Sequence, residues 1–206
     1  MAKRNKIMKI SRDIWEPGFG TIFTWFAMDK LGRVAVMVNN CWGWLPNALL
    51  SIDDFESLLD ELNEYKWEES EKFINYPPNK RGQTILDLYS SLVHRNTKSR
   101  KEIEDWVNAK QPKELSEINL PSRKGFFVYH GIEGSVEGED YPVGYDGKTK
   151  MGDYFRYLMP TVYASIEDFP EEIRHGIAVS DTVDFTNDRL LDNDKINEYF
   201  PRMYKK

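Results

Sequence analysis

Cysteine is almost missing from this chain. Cys41 stands alone among 206 residues, so no intrachain disulfide can form and a reducing compartment is the natural setting. Long apolar runs are missing too. None approaches the roughly 20 residues that a membrane-crossing helix needs, and the basic start, MAKRNKIMKISRDI, lacks the apolar core of a signal peptide. The expected location is the cytoplasm. Histidine is scarce and scattered. His94, His130 and His175 have no Cys or His at metal-ligating spacing, so no metal site is expected. The glycine-rich stretch from Gly131 to Gly138 has neither the GxGxxG spacing of a dinucleotide site nor the lysine of a P-loop, and its Glu133 and Glu137 would repel phosphate. Ser135 is not in a GxSxG elbow. Adjacent acids occur at Asp53/Asp54, Glu68/Glu69, Glu139/Asp140 and Glu171/Glu172, but neighbouring helix positions do not share a face. No catalytic residue is assigned on these grounds, and no cofactor is expected.

What is present is apolar and aromatic material. Apolar residues make up 40 % of the chain and aromatics 14 %, enough for a packed core with rings to spare for a contact surface. The net charge of −6 is unevenly spread. Residues 1–12 hold Lys3, Arg4, Lys6, Lys9 and Arg12 without an acid, and removing those five positives leaves −11. The acids gather at Asp53 to Glu71, Glu133 to Asp146 and Asp181 to Glu198, a distribution that repels phosphate and attracts basic partners. Residues 80–101 form a local basic exception, with Asp87 as their only acid.

Periodicity predicts an α+β fold: an antiparallel sheet with an N-terminal hairpin, a helical middle segment and C-terminal strands. The whole chain reads as one domain with a possible helical insertion at about 77–120. Ile22 to Met28 alternates with apolar residues on both faces, as a central strand does; Asp29-Lys30-Leu31-Gly32-Arg33 turns the chain, and Val34 to Val38 returns it. A helix is expected next, capped by Ser51, with Phe55, Leu58, Leu59 and Leu62 on one buried stripe and acids around it. After the break at Asn75 to Gly82, Thr84 should cap a second helix carrying Ile85, Leu88, Tyr89 and Leu92, and Ser99 a third carrying Ile103, Trp106 and Val107. Strands are expected at 125–130, at 157–164 with a disturbance at Pro160, at 177–179 and at 182–185. Ser165 to Pro170 reads as a cap and turn, and Asp194 to Phe200 as a short last helix stopped by Pro201.

The loop Asn39-Asn40-Cys41-Trp42-Gly43-Trp44-Leu45-Pro46 is the clearest candidate contact. Two tryptophans around one glycine cannot easily both turn inward, and exposed tryptophan is enriched at binding hot spots. The candidate partner-binding residues are Trp42 and Trp44, the acids Asp53, Asp54 and Glu56 that follow them, and Glu139, Asp140 and Tyr141 of the second acidic stretch.

The run from Phe26 to Val36 with its D-x-x-G turn, followed by Gly43-Trp44-Leu45-Pro46 and an acidic helix, resembles a recurring pattern in bacterial immunity proteins. These are the antidotes encoded beside polymorphic toxins, contact-dependent inhibition systems among them. The resemblance implies a cytoplasmic, non-enzymatic binder that covers a toxin's active site or an essential surface. Many such toxins are nucleases with basic clefts, which an acidic partner suits. A small carboxylate-dependent hydrolase or transferase, with acids meeting in a cleft, is the alternative. A nucleic-acid contact through Lys80 to Lys101 is disfavoured by the acidic balance of the rest.

Overall fold

The computed structural model describes residues 15–109 and 114–205; the basic stretch at residues 1–12 lies outside them. In chain order the elements are β1 (Thr24–Met28), β2 (Val34–Val38), α1 (Asn47–Leu50), α2 (Phe55–Trp67), β3 (Thr84–Leu86), β4 (Tyr89–Ser90), α3 (Arg100–Ala109), α4 (Leu120–Lys124), β5 (Phe127–Gly131), β6 (Pro142–Val143), β7 (Tyr154–Pro160), β8 (Ile177–Val179), β9 (Leu190–Leu191), α5 (Ile196–Tyr199) and β10 (Arg202–Met203). The fold is mixed α+β. Its main sheet runs β10-β8-β1-β2-β5-β7-β3, with β9 also on β7. Most neighbours are antiparallel, but β1–β8 and β2–β5 are parallel. Parallel neighbours need long crossovers, and the chain between β2 and β5 supplies one that contains most of the helices. β4 and β6 form a separate two-stranded ribbon.

β1 sits inside the sheet, and its two faces build two layers. On one, Phe26 packs edge-on against Phe126 and Phe169, and Tyr65 of α2 lies 4.9 Å from Phe169 between ring centres. On the other, Trp25 meets Tyr154 and Phe200. Its indole N–H donates to the Tyr154 hydroxyl, which donates in turn to the carbonyl of Trp44, both at 3.1 Å. Gly43 is needed at that spot, because a Cβ would meet the Tyr154 ring at 2.5 Å.

The hairpin turn is held by Asp29. Its carboxylate accepts from the amides of Leu31 and Arg33, from Arg33 Nε and from the amide of Phe185. The segment 182–185, expected as a strand, is instead a turn bound to the hairpin tip, with Ser180 Oγ accepting from Val183 N and Asp184 bound to Arg33.

Three helix expectations change. Ser51 closes α1, while α2 starts only at Phe55, after Asp54 in a left-handed conformation (φ 60°, ψ 42°). The helix expected from Thr84 is absent. Thr84, Leu86, Leu88 and Ser90 are buried in alternation, and the backbone follows β7 through Asp87 N to Tyr157 O and Leu88 N to Arg156 O. Ile85, on the other side, is exposed. The same apolar residues fit both periods over this short run, and pairing with β7 selects period two. The segment expected as a helical insertion therefore adds β3 to the main sheet, while α3 forms where Ser99 predicts it. β7 begins at Tyr154 and ends on Pro160, earlier than expected; proline closes it because it has no N–H to continue the ladder.

Candidate binding groove beside α2

The stripe Leu58, Leu62 and Tyr65 of α2 is buried. Gly176 lets the helix come close there, since a Cβ would stand 2.8 Å from both Leu58 and Leu62. Seated on that stripe, α2 leaves a gap along its adjacent side. Glu56, Asp60, Asn63 and Trp67 follow i, i+4, i+7, i+11 and so share one face. With Leu59 and Lys66 they form one wall of a groove of about 510 Å³. Ile22, Phe23, Thr24 and Val38 from the sheet form the other wall, and Glu117 completes the lining.

A row of rings leads to this groove. Trp44 stands 5.8 Å from Trp15, Trp15 6.2 Å from Phe23, and Phe23 5.8 Å from Phe55. All four are half-buried, so each shows part of its surface to solvent. Glu56 and Asp60, both exposed, stand beside this row's end.

Lys66 is the least expected member of the lining. It is 3 % exposed. Its Nζ lies over the Trp67 ring at 4.5 Å and faces Phe26 at 6.0 Å, and it forms no hydrogen bond or ion pair with the described residues. Burial lowers its pKa to about 8, against the opposing pull of Glu117 and Glu69. Glu117 lies in a short 3₁₀ turn fixed by a capping box between Ser116 and Asn119. Behind it, His130 Nε2 approaches Oε1 at 3.1 Å, as an ion pair without a well-directed hydrogen bond. Burial alone would depress the His130 pKa, but Glu117, Glu133 and Asp140 outweigh it and hold it above the ordinary value. Burial likewise would raise Glu117, but His130 and then Lys66 hold it below. Both directions favour a charged pair. His130 reaches this place because β5 pairs in parallel with β2 and sets it beside Val38.

The residues expected from sequence divide between two places. Trp44 joins the aromatic row and Glu56 the groove; Asp53 and Asp54 are exposed just before α2. Trp42 points elsewhere, its indole N–H donating to Gly134 O at 3.0 Å in the glycine-rich loop. Glu139 and Tyr141 are exposed near that loop, with Glu139 accepting from Ser135 N. Asp140 is a correction. It is buried, and one of its oxygens accepts from Ser90 Oγ, Ser91 Oγ and Leu92 N, so it ties the loop to β4 instead of meeting a partner. Half of the basic side chains at 80–101 are ion-paired, Lys80 with Asp168, Arg100 with Glu104 and Lys101 with Asp105.

Sequence reasoning missed Asp60, Asn63, Lys66, Trp67, Glu117 and His130. For Lys66 there was a signal. It falls four positions after Leu62 and seven after Leu59, a charge on the apolar stripe.

Among the described residues, no group of three or more His, Cys, Asp and Glu side chains is placed to hold a metal ion, and no helix is long and apolar enough to cross a membrane. Compared with protein-family models, curated proteins and solved structures, the chain matches none of them.

Proposed function

We propose that this chain is an immunity-type protein that neutralises a cognate bacterial toxin in the cytoplasm by direct, non-catalytic binding. The observation that supports this reading is the row of four half-buried rings running from Trp44 to the acid-rimmed groove at Glu56 and Asp60. Partly exposed rings in one line offer anchors, and acids around them draw in a basic partner and speed encounter. A nuclease domain with a basic cleft has the matching charge.

The test is co-expression with each candidate toxin domain found in the gene's neighbourhood, read as growth rescue and as a co-purifying complex. With that complex in hand, Trp44→Ala should weaken binding by about 2–4 kcal/mol while the fold survives. Glu56→Lys with Asp60→Lys should slow association about tenfold, with a shallower salt dependence. A toxin neither bound nor neutralised would end the reading.

A second reading has one observation in its favour. Lys66 and Glu117 bring an amine and a carboxylate to one groove, with His130 against Glu117 from behind, as a small hydrolase or transferase would need. Turnover abolished by His130→Ala would favour it over the first.

A further inference from the structure

Lys66 combines three properties that rarely occur together. It is almost fully buried, its amine has no hydrogen-bond or ion-pair partner among the described residues, and it lines an open groove. A buried ammonium without a partner is unfavourable, whereas a free amine is tolerated there. Glu117 lines the same groove without closing onto Lys66 as an ion pair, and His130 stands behind Glu117. An amine and a carboxylate backed by a histidine thus meet at one space that none of the described residues fills.

We propose that Lys66 is a nucleophilic amine that captures small uncharged aldehydes as an imine in the groove beside α2. The lone pair of the neutral amine forms the new C–N bond as the C=O π pair moves to oxygen. One N–H proton transfers to that oxygen, giving the carbinolamine. The Glu117–His130 pair then supplies a proton to the departing hydroxyl, which leaves as water, and takes up the second N–H proton, so the pair ends as it began. Amine and aldehyde give imine and water, with no oxidant or reductant required. The rings of Trp67 and Phe26 near the nitrogen suit the cationic form of the adduct. Glu56 and Asp60 at the rim disfavour carbonyl compounds that carry a carboxylate, so an α-keto acid should be a poor match. This inference does not rest on toxin binding and can stand or fall without it.

The folded chain would be incubated at neutral pH with propionaldehyde and cyanoborohydride, which reduces any imine to a stable alkylamine, and the sites mapped by mass spectrometry. Lys66 should be alkylated at least about fivefold faster than the exposed Lys101, whose ammonium Asp105 holds. In urea that preference should vanish. Pyruvate in place of propionaldehyde should label Lys66 about tenfold more slowly. Glu117→Gln should slow Lys66 labelling several-fold, leaving Lys101 and the circular dichroism spectrum unchanged. Lys66 labelled no faster than Lys101, or equal labelling by pyruvate, would overturn the proposal. An unchanged rate in the Gln variant would remove Glu117 from it. Because the decisive ratio is read on the native chain, no variant has to fold for the idea to fail.

Discussion

Two regions of this molecule treat buried charge in opposite ways. In the clamp formed by residues 183–189, Asp184 and Arg189 each have an opposite charge beside them. Arg33 bridges Asp29 and Asp184 at 2.7 and 2.5 Å. Burial would push the Asp184 carboxyl up, but the hydroxyl and amide of Thr186 and the Arg33 guanidinium hold it well below the usual carboxylate range. Asp87 receives Arg156 and Arg189, both at 2.7 Å, and Arg156 also donates to Phe185 O. The groove beside α2 gives Lys66 no ion pair among the described residues and joins Glu117 to His130 without a well-directed hydrogen bond. Satisfied networks tie distant segments to the sheet. A buried charge left without a partner lowers stability.

The contrast can be broken most forcefully from the clamp side. Asp87→Ala would leave Arg156, only 4 % exposed, without its counter-charge and should cost about 3–5 kcal/mol in urea unfolding. A loss below about 1 kcal/mol would mean that the clamp does not hold the fold.

The groove side should respond with the opposite sign. Lys66→Met keeps the chain's bulk, removes a buried charge that has no ion pair among the described residues, and should raise stability at neutral pH by about 1–3 kcal/mol. In the unchanged protein, the Lys66 pKa of about 8 lies below its ordinary 10.5. Between those values the unfolded chain holds a proton that the folded chain has released, so this group's contribution rises with pH across that window. A Met variant less stable than the parent would place Lys66 among the structural charges.

The smallest effect sharpens the comparison through pH. His130 is held above its ordinary 6.5 and Glu117 below its ordinary 4.5. The stabilisation from the histidine is present below 6.5 and fades as pH rises through its raised value. That from the glutamate is present above 4.5 and fades as pH falls through its lowered value. Together they favour the fold most between 4.5 and 6.5. Glu117 is about one-third exposed, so solvent screens the pair and each slope should stay under about 1 kcal/mol. Glu117→Gln should flatten both slopes and return the His130 titration, followed by NMR, toward or below its ordinary value. An unmoved His130 titration would show that the pair is not coupled.

The hairpin was legible because its determinants are local. Alternation from Phe23 to Met28, the D-x-x-G turn and the β-branched return lie within sixteen residues, and the structure pairs Phe26 with Val36 as that register requires. α2 was legible from its stripe, though its start was misplaced, because Ser51 has the chemistry of a cap and only the backbone shows which helix it closes. The failure at 84–92 has a related cause. Ile85, Leu88, Tyr89 and Leu92 are spaced for a helix, while Thr84, Leu86, Leu88 and Ser90 are spaced for a strand, and local pattern does not choose between them. Of the contact surface, the Trp44 side was visible as a loop with rings. The groove was not, because Glu117 and His130 reach it only through the crossover that brings β5 beside β2.

By itself, then, the sequence determined what depends on neighbours in the chain: one cysteine and so no internal disulfide, an acidic balance, the hairpin, the stripe of α2 and the capped turn at Ser165. Tertiary structure alone decided what depends on meetings between distant segments. It set β1 between β2 and β8, drew Asp140 inside to serve Ser90 and Ser91, split Trp42 from Trp44, and set Lys66 beside Glu117 along one groove. Periodicity states which face of an element is apolar. Which segment comes to cover that face, and which charge is left there without a partner, follows only once the whole chain has packed.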